Sequence, residues 1–319
     1  MKIIGRVLPV VFFLSLNPAG LTQTEVSKPN FSKTVDPVIL TVIVTNERGN
    51  FITGLRRENF QVFIEKESAN IIDFREDDVP HSVGIIFDAS ASVGNPRSMR
   101  PLIKSAQQSL MGFLNASNPG NEYFMLAFNI KPQLLQDWTS DSKAIIDALN
   151  LLQPKGGTAL YDACYLAIDK VQHGRSSKRA LILISDGLDN LSTYTFNQVR
   201  QELRASDVPV YAVNFSDSGY EVSQTQIEGE AILDEFCEVS GGRSFTQRKG
   251  RPLTKSEATS AFESIAQELR HQYTIAVRPP VSAANSKWHK LKIKVEADGE
   301  MKHLSARTRE GFYVNQRND

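Results

Sequence analysis

Asp88, Ser90 and Ser92 place an oxygen-bearing side chain at every second position directly after an apolar run, in the stretch "VGIIFDASAS". Two further stretches carry the same chemistry. Gly156-Gly157-Thr158 precedes a helical pattern, and Ser185-Asp186-Gly187 directly follows the apolar run "ALILI". Asp88, Ser90, Ser92, Thr158 and Asp186 together offer two carboxylates and three hydroxyls, with no His or Cys among them. An all-oxygen set suits a hard cation: Mg²⁺ takes about six oxygens in octahedral geometry and retains water, and Mn²⁺ or Ca²⁺ accept similar shells. Two acids balance one divalent ion. A shell rich in neutral hydroxyls leaves the metal electrophilic toward one more carboxylate, such as an Asp or Glu of a partner protein. That chemistry is binding rather than catalysis. Each stretch also has a plainer reading, since Asp or Ser after a strand caps the next helix and Asp-Gly or Gly-Gly shapes a turn. Capping explains each stretch taken singly; their joint occurrence, two of them after buried strands, favours the ion.

Such loops need a scaffold that brings them together. From about Ser82 to His271, short continuous apolar runs ("VGIIF", "EYFMLAFN", "ALILIS", "VPVYAVNF") alternate with segments of helical spacing, for example Met99, Leu102, Ile103, Ala106, Leu110 and Phe113 on one face. "LLQDWT" reads as an edge strand. This alternation predicts a doubly wound, mostly parallel α/β sheet covered on both faces, with ligands bound outside the carboxyl ends of its strands. Both flanks are β in character. Val38, Leu40, Val42 and Val44 alternate ahead of "FQVFIEK" and "NIIDF"; "YTIAVRP", "WHKLKIKVEA" and "HLSARTREGFYV" follow the α/β region. Head and tail strands are expected to form one small β-sandwich with the α/β domain inserted, two separate β appendages being the alternative. The organisation read from the sequence is a signal peptide at 1–23, a linker at 24–35, an N-terminal β segment at 36–80, the α/β domain at 81–272 and a C-terminal β segment at 273–319.

The chain has 319 residues, with 36 basic and 36 acidic side chains, so no basic excess is available for a nucleic-acid binder held by phosphates. Lys2 and Arg6 precede an apolar run from Val7 to Leu16 and then small residues, the pattern of a secretory signal peptide. The run is shorter than the roughly 20 apolar residues a membrane span requires, so the mature chain is expected to be exported without a transmembrane segment. Export permits a disulfide, yet Cys164 and Cys237 both fall on predicted helices and read as two buried thiols rather than a bridge. Trp138 and Trp288 read as core or edge-strand residues. Asp162, one helical turn beyond Thr158, reads as a supporting or capping acid, and Asp189 as a solvated loop acid.

An enzyme is not expected. A strand ending in Asp beside Mg²⁺ also describes aspartyl phosphotransferases, but those need a second carboxylate two residues on, where this chain has Ser90. The G-x-S-x-G, H-E-x-x-H and G-x-x-x-x-G-K-[ST] motifs are missing as well. A metal-free scaffold of a cell-envelope assembly is the other rival.

Asp88-x-Ser90-x-Ser92, Thr158 and Asp186 resemble the three-part metal-ion-dependent adhesion site of von Willebrand factor type A domains. The resemblance implies a Rossmann-like fold. It also implies Ser90 and Ser92 as direct ligands, Asp88 and Asp186 acting mainly through water, and Thr158 binding in the ligand-occupied state. The flanks "VTNERGNFITGLRRENFQVFIEKESANIIDF" and "LRHQYTIAVRPP" are similar to those of exported bacterial proteins with related domains, for which no common ligand is implied.

Overall fold

The computed structural model describes residues 36–90, 96–152, 156–214, 224–246, 253–280, 288–296 and 303–313, without the side chains of 96–102. The signal peptide and linker expected at 1–35 lie outside the described residues, as does Ser92. Four strands lead: β1 (Val38–Thr45), β2 (Phe60–Ile64), β3 (Glu67–Glu76) and β4 (His81–Asp88). The alternating region continues through α1 (Pro96–Ala116), β5 (Glu122–Phe128), β6 (Pro132–Thr139), α2 (Ser142–Ala148), α3 (Leu160–Gln172), β7 (Lys178–Ile184), α4 (Phe196–Ala205), β8 (Val210–Val213), α5 (Gln224–Ser240), β9 (Arg243–Phe245) and α6 (Lys255–Arg270). The tail supplies β10 (Tyr273–Arg278), β11 (Trp288–Val295), β12 (Ser305–Arg307) and β13 (Gly311–Tyr313).

The doubly wound sheet has the order β6-β5-β4-β7-β8-β9. Its pairs are parallel except β5–β6, which puts the antiparallel strand at the edge. Alternation along β4 shows why its sequence is a continuous apolar run. Val83, Ile85 and Phe87 join one core with Leu110 and Phe113 of α1, Ile145 of α2 and Phe262, Ile265 and Leu269 of α6. Ile86 joins the opposite core with Leu160, Ala163 and Ile168 of α3, Val199 and Leu203 of α4, and Leu233 and Phe236 of α5. A strand covered on both faces has no polar side to display. Helix starts are locally encoded where a cap is present: Thr195 with Gln198 and Thr254 with Glu257 form reciprocal capping boxes for α4 and α6. Cys164 and Cys237 are buried free thiols in the second core, and burial pushes both well above the usual thiol range.

Strands from both ends of the chain form one seven-stranded sheet, β12-β1-β10-β3-β2-β11-β13. Val38 of β1 pairs with Val277 of β10, and Leu291 of β11 with Ile64 of β2, so head and tail are joined rather than separate. The final segment "HLSARTREGFYV" divides into β12 and β13, which occupy opposite edges of the sheet. Only four residue steps separate Arg307 from Gly311, at most about 14 Å of chain. The sheet must therefore curl until its edges nearly meet. Its concave face closes on one core of Leu40, Val42, Val44, Phe60, Val62, Ile64, Tyr273, Ile275 and Phe312, the flanking β-sandwich predicted from alternation.

The junction between the two sheets buries ionisable groups. His81, at the start of β4, is 2% exposed, with its ring nitrogens 2.9 Å from Val79 O and 3.3 Å from Gln272 Oε1. Burial lowers its pKa from 6.5 to about 4; the Gln272 bond opposes that shift and Lys178 adds to it. The unfolded chain protonates His81 from pH 6.5 downward while the folded chain resists until about pH 4. Stability is therefore full above pH 6.5 and falls by about 3 kcal/mol as the pH drops to 4. Asp88, whose pKa burial raises, acts with the opposite sign, so a difference curve isolates the histidine. In urea unfolding at pH 7 and pH 4, the wild type should lose about 3 kcal/mol more than His81→Asn; parallel profiles would refute the assignment.

Candidate metal centre

β4 and β7 are neighbouring parallel strands, with Phe87 in register with Ile184, so the loops that follow leave the sheet side by side. From β4 the chain moves first to β5 on one side and later to β7 on the other. The crevice between β4 and β7 is thus the switch point where doubly wound sheets place ligands. Asp88 ends β4. Its Oδ1 accepts the Ser90 N–H at 2.9 Å, and its Oδ2 accepts the Ser185 hydroxyl at 2.8 Å. Ser185 Oγ in turn accepts the Gly187 N–H at 3.0 Å, and Asp186 Oδ1 accepts the Leu188 N–H at 3.1 Å. The first and third loops are therefore tied through Ser185.

The second loop is tied to both of the others. Consecutive carbonyls at the end of β5 hold the first two: Phe128 O accepts Ala89 N–H at 2.8 Å and Asn129 O accepts Ala159 N–H at 2.7 Å. Beyond Asp186, Asn190 Oδ1 accepts the Thr158 N–H at 2.8 Å, while Thr158 O accepts the N–H groups of Asn190 and Leu191 at 2.9 and 3.1 Å. Asp88, Ser90 and Thr158 are buried and Asp186 is half-buried. Four of the five sequence-nominated residues thus stand on three mutually fastened loops at one sheet edge; the fifth, Ser92, lies outside the described residues.

Several supporting roles were invisible in the sequence. The N-cap of α3 is Ala159, which has no side chain able to accept a bond. Asp189 takes over that task from the neighbouring loop, its Oδ2 accepting the Tyr161 N–H at 3.2 Å, while Ser192 Oγ accepts the Asp162 N–H at 3.1 Å. Asp189 also accepts the Ser192 hydroxyl. It is therefore a half-buried cap rather than the solvated loop acid expected. Asp162 returns the support, its Oδ1 accepting the N–H groups of Thr193 and Tyr194 at 2.8 Å each. Below the third loop, Gly187 adopts φ +84° against Gly229 of α5. A Cβ at Gly229 would stand 2.1 Å from Asp186 O, so the helix and loop backbones touch.

The donor chemistry is entirely oxygen. Burial raises the pKa of Asp88, and the nearby Asp186 carboxylate raises it further against the lowering by Ser90 and Ser185; burial also raises Asp186. Neither acid has a Lys or Arg partner among the described residues. Two desolvated, mutually repelling carboxylates beside hydroxyls fit a hard divalent cation, which would relieve both penalties. Among the described residues, His, Cys, Asp and Glu form no group of three that could hold a metal, so a site here must use hydroxyls. No described helix is long and apolar enough to cross a membrane.

Residues 83–188 match the family model for the von Willebrand factor type A domain. No curated protein matches the chain. Among solved structures, it is similar to the vWF domain of the type V pili tip protein Mfa5 from Porphyromonas gingivalis, at 15% identity and TM-score 0.44, covering 60% of this chain and 95% of that one. It is also similar to a conserved hypothetical protein, BatB, from Bacteroides thetaiotaomicron, at 18% identity and TM-score 0.43, covering 59% and 98%. A von Willebrand factor type A protein from Catenulispora acidiphila is 12% identical with TM-score 0.48, covering 88% and 75%. The matched residues make up about a third of the chain.

Proposed function

Since this chain carries a von Willebrand factor type A domain over residues 83–188, we propose that it is an exported, non-enzymatic protein that binds a partner through a divalent cation. Asp88, Ser90, Ser92, Thr158 and Asp186 would hold Mg²⁺, or Mn²⁺ or Ca²⁺ in its place, leaving one coordination position for an Asp or Glu of the partner. The bound ion would supply a Lewis-acidic point for that carboxylate. The chain's own part is positional: Ser185 and the Ser90 N–H orient Asp88, Asn190 grips the Thr158 backbone, and Leu188 N–H orients Asp186.

The observation that carries this reading is the pair of desolvated acids, buried Asp88 and half-buried Asp186, set at one sheet edge with the Ser90 and Ser185 hydroxyls on Asp88 and no basic partner among the described residues. Purely structural acids at such positions would be expected to cap helices, and neither accepts a bond from a helix N-terminus among the described residues. Calorimetric titration of the purified chain with Mg²⁺, Mn²⁺ and Ca²⁺ tests it. The wild type should bind, and Ser90→Ala and Asp186→Ala should each weaken binding at least about tenfold, or about 1.4 kcal/mol. Identical isotherms from all three proteins would remove the metal site and leave the scaffold reading.

A further inference from the structure

The curled sheet has an open seam where its last strand divides. Among the described residues, β12 pairs with β1 only from Ile43 to Thr45, while Val38–Val42 pair with β10 alone. Straight continuation would carry the residues after Arg307 past Thr41 and Ile39. Instead the chain crosses to β11, where Gly311, Phe312 and Tyr313 pair with Lys290, His289 and Trp288. The outer edge of β1 is thereby left open over its first half, and a groove of about 610 Å³ lies between it, β13 and α4. Arg309 stands where the strand would run. Its Nη2 donates to Ile39 O at 3.1 Å, and its buried Nε has no hydrogen-bond partner among the described residues. Ladder bonds alternate in direction along an antiparallel strand, so Ile39 turns its N–H to the groove together with its carbonyl. A bare strand edge is a template for another strand. Ile39 and Tyr313, on either side, are 52% and 39% exposed. The lining is acidic, with Asp36, Glu202 and Asp207 set against Arg309, which lies 3.4 Å from Asp207.

We propose that this open edge of β1 docks an extended, basic segment of a partner polypeptide, which adds as a strand between β1 and β13. Its backbone would exchange hydrogen bonds with Ile39, and Arg309 would pass from Ile39 O to Asp207. Side chains of an added strand alternate between two faces. One set would point outward with Ile39, toward Glu202 and Asp207, where Lys or Arg fits. The other would point inward with Leu40, beside the buried Phe312, where an aliphatic side chain fits. In such strand addition the main chain supplies affinity and the alternate side chains supply specificity. Asp207 precedes β8, so the groove opens at the amino ends of the parallel strands, opposite the candidate metal centre, and needs no ion.

The test is fluorescence anisotropy of labelled, end-blocked peptides with the full chain in EDTA. Lys-Val-Lys-Val-Lys should bind at least about tenfold more tightly than Glu-Val-Glu-Val-Glu, the effect of several exposed charge pairs. The basic peptide N-methylated throughout its backbone keeps its charges and should lose binding. Ile39→Pro removes a groove-facing N–H that β10 does not use, and should abolish binding, whereas Ile39→Val should not; urea midpoints check that both variants fold. No binding of the basic peptide, equal affinity for the acidic one, or unimpaired binding of the N-methylated one would overturn the proposal. Binding seen only after deletion of residues 314–319 would seat the chain's own C-terminus in the groove. A doubled molecular mass reversed by Ile39→Pro would seat a second copy there. Either result would overturn the basic partner.

Discussion

Replacing Arg307 with Met is expected to destabilise the protein by about 3–5 kcal/mol. Glu268 of α6 is fully buried, and its carboxylate is paired with the Arg307 guanidinium from β12. Arg307 also donates to Gly242 O, and the buried Tyr211 hydroxyl bonds to Glu268. The other carboxylate oxygen, Oε2, has no hydrogen-bond partner, so the pair is already incompletely compensated. Removing the cation leaves a carboxylate inside the protein with one neutral donor, and that desolvation cost dominates. Removing both partners is different. The double variant Arg307→Met with Glu268→Met should recover most of the loss, because packed apolar side chains incur no desolvation penalty. The Arg75–Asp73 pair has the same chemistry, but its side chains are 60% and 48% exposed, and Asp73→Ala should cost less than about 1 kcal/mol. Urea unfolding of the four proteins measures these differences. A loss below about 1 kcal/mol for Arg307→Met would mean that this pair does not anchor the curled sheet to the α/β layer.

Gly229→Ala should lower stability, reversing the usual effect of that substitution. In an ordinary helix interior it gains about 0.5–1 kcal/mol. In α5 the new Cβ would stand 2.1 Å from Asp186 O, a backbone atom that cannot rotate aside. Relieving such overpacking costs about 1–3 kcal/mol, and the upper end applies because loop and helix must separate. The net loss should be about 2–2.5 kcal/mol. Gly112→Ala in α1 is the matched control, since the nearest atom to its added Cβ is Glu263 Oε1 at 3.9 Å. That variant should gain stability in the same urea series. On the proposed reading, Gly229→Ala should also weaken Mg²⁺ binding, because Asp186 moves with its carbonyl. Equal gains from the two substitutions would show that the loop yields freely and does not hold Asp186 in place.

Much of the architecture is local enough to be legible in the residues. Two-residue alternation in Val38, Leu40, Val42 and Val44 marks a strand with one buried face, and the unbroken run in β4 marks a strand buried on both. Thr195 and Thr254 announce the starts of α4 and α6 through partners three residues away. The candidate residues Asp88, Thr158 and Asp186 are legible for a related reason. Each sits next to a recognisable strand end or helix start, and a parallel sheet sends all such ends to one edge.

The tertiary structure alone decides who holds these residues. Ser185 reaches Asp88 across 97 residues of sequence, and Asp189 caps its helix by accepting the N–H of Tyr161, 28 residues earlier in the chain. Gly229 looks like a weak point in a helix until Asp186 is placed against it. The division of the tail into two strands at opposite edges likewise follows from curl, which no periodicity records. The sequence by itself determined the elements, their order and the oxygen-rich loops, because side-chain period and capping act over a few residues. Only the tertiary structure decided the caps, ties and buried ion pair that position those loops, because these depend on where distant backbones cross.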